Sequence, residues 1–273
     1  MKQISSQSIF KKASVTYYYS SIFFPKEVRQ DVYDLYAFVR VADDYVDSQP
    51  AKEKLFTRFY SETIQALSGK KVNNPVINNL IKLIKKYQFD STWIIAFLDA
   101  MKNDLHKKQY QTFTDLEKYI HGSAEVVGLL MAKILSLPKQ SYPYAQALGK
   151  SMQLINFLRD IQEDRDLGRL YIPQEDLNRF NLRNLLINSE IEKKQFIKLM
   201  HFEIKRYFNI QKQAEKGYEF IPRRFLLPIK TASDMYNWTA KQIDENPFLV
   251  FQKKIKPKSW QVFRQFILNF LRR

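Results

Sequence analysis

Apolar residues recur along most of this chain at spacings of three and four, the pattern of helices that bury one face. The clearest run opens at Pro25, whose missing N–H costs nothing in a first helical turn, and continues to about Asp47 before Pro50. The same periodicity predicts helices over roughly 5–20, 52–67, 75–87, 90–107, 113–136, 141–165, 190–217, 223–244 and 258–271. Ser68-Gly69, Leu137-Pro138 and Asn246-Pro247 punctuate them. Alternating, strand-like runs are scarce. Residues 166–189 hold Gly168, Pro173 and four asparagines, and read as an extended loop followed by a short helix. The expectation is an all-α chain, with residues 1–273 forming one domain of eight or more long helices.

Composition narrows the class. With 273 residues and 45% hydrophobic content the chain can build one substantial core, and only six glycines agree with helices. Zero cysteines exclude disulfides and thiolate metal sites, which suits a cytoplasmic setting. The N-terminal MKQISSQSIFKK lacks the apolar stretch of a signal peptide. No run approaches the ~20 apolar residues of a spanning helix. The net charge of +16 admits three kinds of partner: nucleic acid, anionic lipid or a polyanionic small molecule.

Candidate chemistry lies in two polar arcs. Tyr36, Arg40, Asp43 and Asp47 fall within about 60° of one another on a helix at 100° per residue. Val32 and Val39 flank them, so the acids border the apolar stripe. A carboxylate there must be paired or hold a cation. Gln153, Asn156, Asp160 and Asp164 occupy a second arc of about 80°. Amide and carboxylate oxygens, with no histidine or cysteine among them, suit Mg²⁺ or Mn²⁺ rather than zinc. One Asp-x-x-x-Asp is commonly a surface feature, and Arg40 with Asp44 has the spacing of an ordinary i,i+4 pair. Two copies, each with an upstream polar face, point to a metal and phosphate site. Arg165 and Arg169 follow closely enough to reach diphosphate oxygens, or to belong to a solvated loop. Neither a Walker pattern nor a dinucleotide fingerprint occurs.

These residues resemble the head-to-head prenyl synthases: phytoene, squalene and dehydrosqualene synthases. Asp43-Asp44-Tyr45-Val46-Asp47 is similar to the family's first aspartate motif. Asn156-x-x-Arg159-Asp160-x-x-x-Asp164, followed by Gly168-Arg169-Leu170-Tyr171-Ile172-Pro173, is similar to the second. Ser20-Ser21-Ile22-Phe23-Phe24-Pro25, Tyr119 through Gly128, Gly217 through Pro222, and Ala232-x-x-x-Tyr236 agree with flanking regions. Two positions depart from the pattern. His121 stands where the family has tyrosine, and Leu226 where it has a late arginine, for which Arg223 or Arg224 offers a spatial substitute.

The resemblance implies an isoprenoid-synthase fold around a central cavity that takes two prenyl diphosphates. It implies three Mg²⁺ ions on Asp43, Asp47, Asp160, Asp164 and Asn156, with Tyr36, Arg40 and Tyr236 beside the reacting groups. Ser20, Phe23, Tyr119, Gln153, Arg159 and Arg165 join Tyr36, Arg40, Asn156 and Tyr236 as substrate-binding candidates. The implied product is phytoene from two geranylgeranyl diphosphates, destined for a carotenoid desaturase. Squalene, dehydrosqualene or hydroxysqualene from two farnesyl diphosphates is the alternative. Phe23, Tyr36, Tyr119 and Tyr236 are candidate carbocation-stabilising rings.

The tail adds a partner. Residues 246–273 hold Lys253, Lys254, Lys256, Lys258, Arg264, Arg272 and Arg273 and no acid, with Trp260, Phe263, Ile267, Phe270 and Leu271 at helical spacing. Such a segment suits the anionic inner face of a membrane, or a terminal helix packed on the domain. A basic nucleic-acid-binding protein is the rival from another class. It leaves both carboxylate arcs unexplained, and the cations are spread without a binding module, so no nucleic acid is expected.

Overall fold

The computed structural model describes residues 5–13 and 15–271; Arg272 and Arg273 of the basic tail lie outside the described residues. Helices α1 (Ser6–Ala13) and α2 (Val15–Ser21) lead through Pro25 into α3 (Lys26–Asp47). Then come α4 (Glu53–Leu67), α5 (Pro75–Tyr87), α6 (Ser91–His106), α7 (Phe113–Ile120), α8 (Val126–Ile134) and α9 (Tyr142–Arg159). The rest comprises α10 (Ile161–Asp166), α11 (Gln174–Arg179), α12 (Glu190–Glu215), α13 (Arg223–Glu245), α14 (Leu249–Gln252) and α15 (Ser259–Leu271). Among the described residues the sole strand-like feature is a parallel bridge between Gln109 and Leu170.

Local chemistry fixes several helix starts. The Asn74 side chain accepts from the N–H groups of Val76 and Ile77 around Pro75, and Asp90 accepts from Thr92. Ser189 and Glu192 form a reciprocal capping box for α12. Each supplies acceptors to N–H groups that have no partner inside the helix.

Four expectations from periodicity are corrected. The predicted helix 5–20 is two helices, and α11 lies within 166–189 rather than at its end. The predicted 113–136 helix is continuous but carries a π turn at His121–Glu125. Glycines permit that turn to lie between its neighbours: a Cβ on Gly122 would stand 2.5 Å from the Ala96 carbonyl of α6. One on Gly149 of α9 would stand 2.4 Å from that of Ala124. The predicted 141–165 helix breaks at Asp160, whose φ of −101° and ψ of 17° leave the helical region. Apolar spacing carries across such a break, so the periodicity did not reveal it.

Helix α9 lies between two cores. Leu154 and Phe157 pack with residues of α3–α8, whereas Met152, Ile155 and Leu158 pack with residues of α11–α14. Burial on both sides explains why α9 is apolar around much of its circumference. It also places the polar residues at its C-terminal end between the two halves, where the chain can face α3.

Candidate active site

A cavity of about 880 Å³ runs between α2, α3, α8, α9 and α13. Val127, Met131, Leu135, Leu148 and Ile229 line its apolar body. Asp43, Asp47, Asp160 and Asp164 stand at its polar mouth. The structure therefore brings the two predicted aspartate pairs to one opening.

The first pair occupies the last turns of α3. Arg40 donates to Asp43 Oδ2 at 2.6 Å and to Asp44 Oδ1 at 2.5 Å. Asp47 Oδ1 accepts from Arg169 Nη1 at 2.5 Å, and Arg169 Nη2 donates to the Val46 carbonyl at 2.8 Å. Arg169, 6% exposed, is thus a strut joining the loop after the second motif to the end of the first. Its Nε is buried without a partner. Behind it, Asp104 of α6 accepts from the hydroxyls of Tyr119 at 2.6 Å and Tyr171 at 2.8 Å.

At the second pair, Arg159 grips Asp160 with two bonds, Nε to Oδ1 at 2.8 Å and Nη2 to Oδ2 at 2.5 Å. Asp164 has no cation within ion-pair distance among the described residues. Burial pushes the Asp164 carboxyl up to about 8, assisted by the charges of Asp160 and Asp47. Burial likewise pushes Asp43 up to about 7, with Asp47 adding to it and Arg40 opposing. Asp104 rises to about 6 by burial, against the pull of Arg169 and the two tyrosine hydroxyls. Burial acts on Asp160 too, but the bonds and charge of Arg159, with Lys254 and Lys256, outweigh it and hold that carboxyl low.

The donor set fits a hard cation. Asn156 Oδ1 is buried with no hydrogen-bond partner, while its Nδ2 donates to Gln153 Oε1 at 3.3 Å. A neutral oxygen is therefore free beside carboxylates that burial holds near protonation, a state that a divalent ion reverses. Among the described residues no three acidic or histidine side chains close on a single point.

Tyrosines stand between the acids and the apolar body. Tyr36 stacks on Phe10 at 3.7 Å between centroids, and Tyr17 lies 5.5 Å from Tyr236 and 6.4 Å from Tyr36. Burial raises the hydroxyls of Tyr17, Tyr36 and Tyr236 above their ordinary range. Tyr119, Gln153 and Ser20 line the cavity as well, the Ser20 hydroxyl buried without a partner.

Other predicted positions turn elsewhere. Phe23 stacks on Phe266 of α15 at 3.5 Å and does not line the cavity, because α15 covers that side of α2. Arg165 donates to the Leu185 carbonyl at 3.1 Å and lies over the Phe251 ring, so it ties down the 180s loop. His121 pairs with Glu125 at 3.0 Å on the outer side of the π turn. Arg223 donates to the Phe270 carbonyl at 3.2 Å, away from the mouth. Lys254 and Lys256, which the sequence places in a basic tail suited either to a membrane surface or to packing on the domain, line the mouth. Asp104 and Tyr17 carried no sequence signal distinguishing them from other helix residues.

Residues 10–261 match the squalene/phytoene synthase family model. The chain is 24% identical over 270 residues to 15-cis-phytoene synthase of Synechococcus elongatus, covering 93% of this chain and 88% of that one. It is 28% identical over 248 residues to 4,4'-diapophytoene synthase of Staphylococcus haemolyticus, covering 87% and 80%. A ligand-bound dehydrosqualene synthase superposes with a TM-score of 0.88 at 25% identity, covering 97% of this chain and 94% of the other.

Proposed function

The chain belongs to the squalene/phytoene synthase family, and from that premise we propose that it joins two allylic prenyl diphosphates head to head. The observation that carries this reading is the single cavity with both aspartate pairs at a polar mouth and an apolar body behind. Its volume lies toward the upper end of the ~300–1,000 Å³ common for small-molecule sites, which suits two long tails. We assign geranylgeranyl diphosphate as substrate and phytoene as product, in keeping with the cyanobacterial relative. Two farnesyl diphosphates giving dehydrosqualene form the second reading, favoured by the TM-score of 0.88 to a dehydrosqualene synthase.

Asp43, Asp47, Asp160, Asp164 and Asn156 are the groups to hold Mg²⁺, with three ions implied by the family. Bound there, Mg²⁺ supplies the Lewis acid that stabilises charge growing on the departing diphosphate. The protein's own part is positional and electrostatic. Arg159 orients Asp160, and Arg169 sets Asp47 against the second motif. Arg40 holds Asp43 at the mouth beside the tyrosines. The first ionisation leaves an allylic cation, which the other substrate's double bond attacks; loss of a proton to the released diphosphate closes the ring and gives a cyclopropylcarbinyl diphosphate. A second ionisation releases the remaining diphosphate, and rearrangement of the cation with loss of one more proton yields the hydrocarbon. Tyr17, Tyr36 and Tyr236 stay protonated, so they offer ring faces rather than phenolate nucleophiles that would trap a cation. The apolar body excludes water from the same intermediate.

Peripheral binding to an anionic membrane belongs to this reading. Among the described residues no helix is long and apolar enough to cross one. Yet Trp260, Phe263, Ile267, Phe270 and Leu271 expose one apolar face of α15, and Ile22 in the turn after α2 is exposed too. Arg29 and Arg223 donate to the carbonyls of Ile22 and Phe270, placing cations at its rim. The deciding experiment incubates the protein with fifteen- and twenty-carbon diphosphates, with Mg²⁺ or chelator and with or without NADPH. Phytoene formed from the twenty-carbon substrate with Mg²⁺ alone supports the assignment. Absence of any hydrocarbon, or product formed in chelator, overturns it.

A further inference from the structure

The link between α14 and α15 alternates in character. Ile255 and Pro257 are buried, Ile255 within the core shared by α9, α12 and α13, while Lys254 and Lys256 line the cavity mouth. Neighbouring side chains of an extended backbone point to opposite sides. Burying Ile255 and Pro257 therefore presents both lysines to the second aspartate motif.

Their electrostatic situations differ. Lys254 Nζ bonds Glu163 and lies 3.6 Å from Asp160 Oδ1. Lys256 has no acid within ion-pair distance among the described residues. Burial, with the like charges of Lys254 and Arg159, holds its ammonium below the usual range. Three cations thus gather beside Asp160, and Arg159 is already committed to that carboxylate. Arg159 and Lys254 share Asp160 and Glu163, which leaves Lys256 as the like charge with no acid of its own, and an anion beside it relieves the repulsion. The neighbouring carboxylates are at the metal-binding positions, so that anion is one that arrives with divalent cations.

We propose that Lys254 and Lys256 form the diphosphate-holding arm of this site, Lys256 contacting the diphosphate directly and Lys254 moving to it from Asp160. This deepens the prenyl diphosphate reading and rests on it. Lys254 lies within ion-pair distance of Asp160. When a divalent cation takes that carboxylate, the ammonium is released toward the diphosphate oxygens, so Lys254 competes with the metal while the substrate is absent.

Calorimetric titration of the full chain with inorganic diphosphate in Mg²⁺ tests this directly. Lys256→Met is expected to weaken diphosphate binding about tenfold, the scale of one charge-assisted contact, while Lys256→Arg stays near the parent. Lys254→Met is expected to bind Mg²⁺ more tightly without diphosphate, and diphosphate more weakly with Mg²⁺ present. Lys258→Gln, on the exposed part of the tail, is the charge-matched control and should bind as the parent does. Thermal melts establish that each variant is folded. Unchanged diphosphate affinity in folded Lys256→Met, or equal weakening in the control, overturns the arm. A parent that binds diphosphate but turns over no prenyl diphosphate leaves the arm standing and defeats the functional reading. A parent that turns over substrate while Lys256→Met keeps both affinity and KM defeats the arm alone.

Discussion

Asp43 and Asp47 sit one turn apart on an unbroken helix, whereas Asp160 occupies the joint between α9 and α10, with Asp164 in the short helix beyond. The surroundings differ as much as the backbones. Around the second pair, Arg159, Lys254 and Lys256 hold Asp160 ionised. At the first, Asp43 has only Arg40, which it shares with Asp44, and burial drives its carboxyl toward the protonated form. The cations of the second rim crowd Asp160 and leave Asp164 without one, whereas the first rim has Arg40 on Asp43 and Arg169 on Asp47. Two motifs that look like copies in the sequence thus differ in their electrostatic surroundings.

The largest effects should come from the ligands themselves. Replacing Asp43, Asp47, Asp160 or Asp164 with Asn is expected to lower turnover at least about tenfold with the fold retained, as loss of a charged ligand predicts. Steady-state rates at saturating Mg²⁺ provide the check, and a near-normal rate removes that residue from the ligand set. Next comes the strut between the rims. Arg169→Met should lower Mg²⁺ affinity roughly tenfold, the low end for residues that orient ligands, with partial recovery in Arg169→Lys. Equal Mg²⁺ affinity in parent and variant would show that the rims keep their spacing unaided.

The contrast also has a pH signature. Asp43 and Asp164 must shed protons before binding metal, so Mg²⁺ affinity should rise from pH 6 to 9, through about 7 and about 8. The sign for stability is opposite. Folding raises both carboxyls above their ordinary 3.8, so between that value and about 8 the folded protein holds protons that the unfolded chain has released. Metal-free stability should therefore fall as pH rises across this window, and Mg²⁺ should restore more of it at pH 9 than at pH 6. Melting temperatures with and without Mg²⁺ decide the point; a metal-induced shift independent of pH would contradict the protonated state. Asp43→Asn should flatten the lower part of the profile and Asp160→Asn should not. The smallest effect is expected at Arg165, turned onto the 180s loop: Arg165→Met should change KM less than about twofold, within the range of surface substitutions.

Much of this site was legible because helix geometry is local. Tyr36, Arg40, Asp43 and Asp47 could be placed on one arc from spacing alone, and α3 is unbroken as expected. The same logic failed at Asp160, where periodic side chains conceal a change in backbone angles. It also failed for Phe23 and Arg165, since which of several apolar or basic neighbours faces a cavity depends on what packs against the other side. Here those elements are α15 and the 180s loop. Lys254 and Lys256 read as tail charges because nothing local marks Ile255 as the residue that anchors their segment.

By itself the sequence determined the helices, the oxygen-only donor set, the absence of thiol chemistry and a basic, amphipathic terminus, all properties of residue type and short-range spacing. Only the tertiary structure decided that the two aspartate pairs share one mouth, that Arg169 spans them, and that buried Asp104 stands behind that strut. It alone carried two tail lysines back to the chemistry. These are contacts between residues far apart in the chain, set by how α9 is shared between two cores and by which side chains burial leaves without a partner.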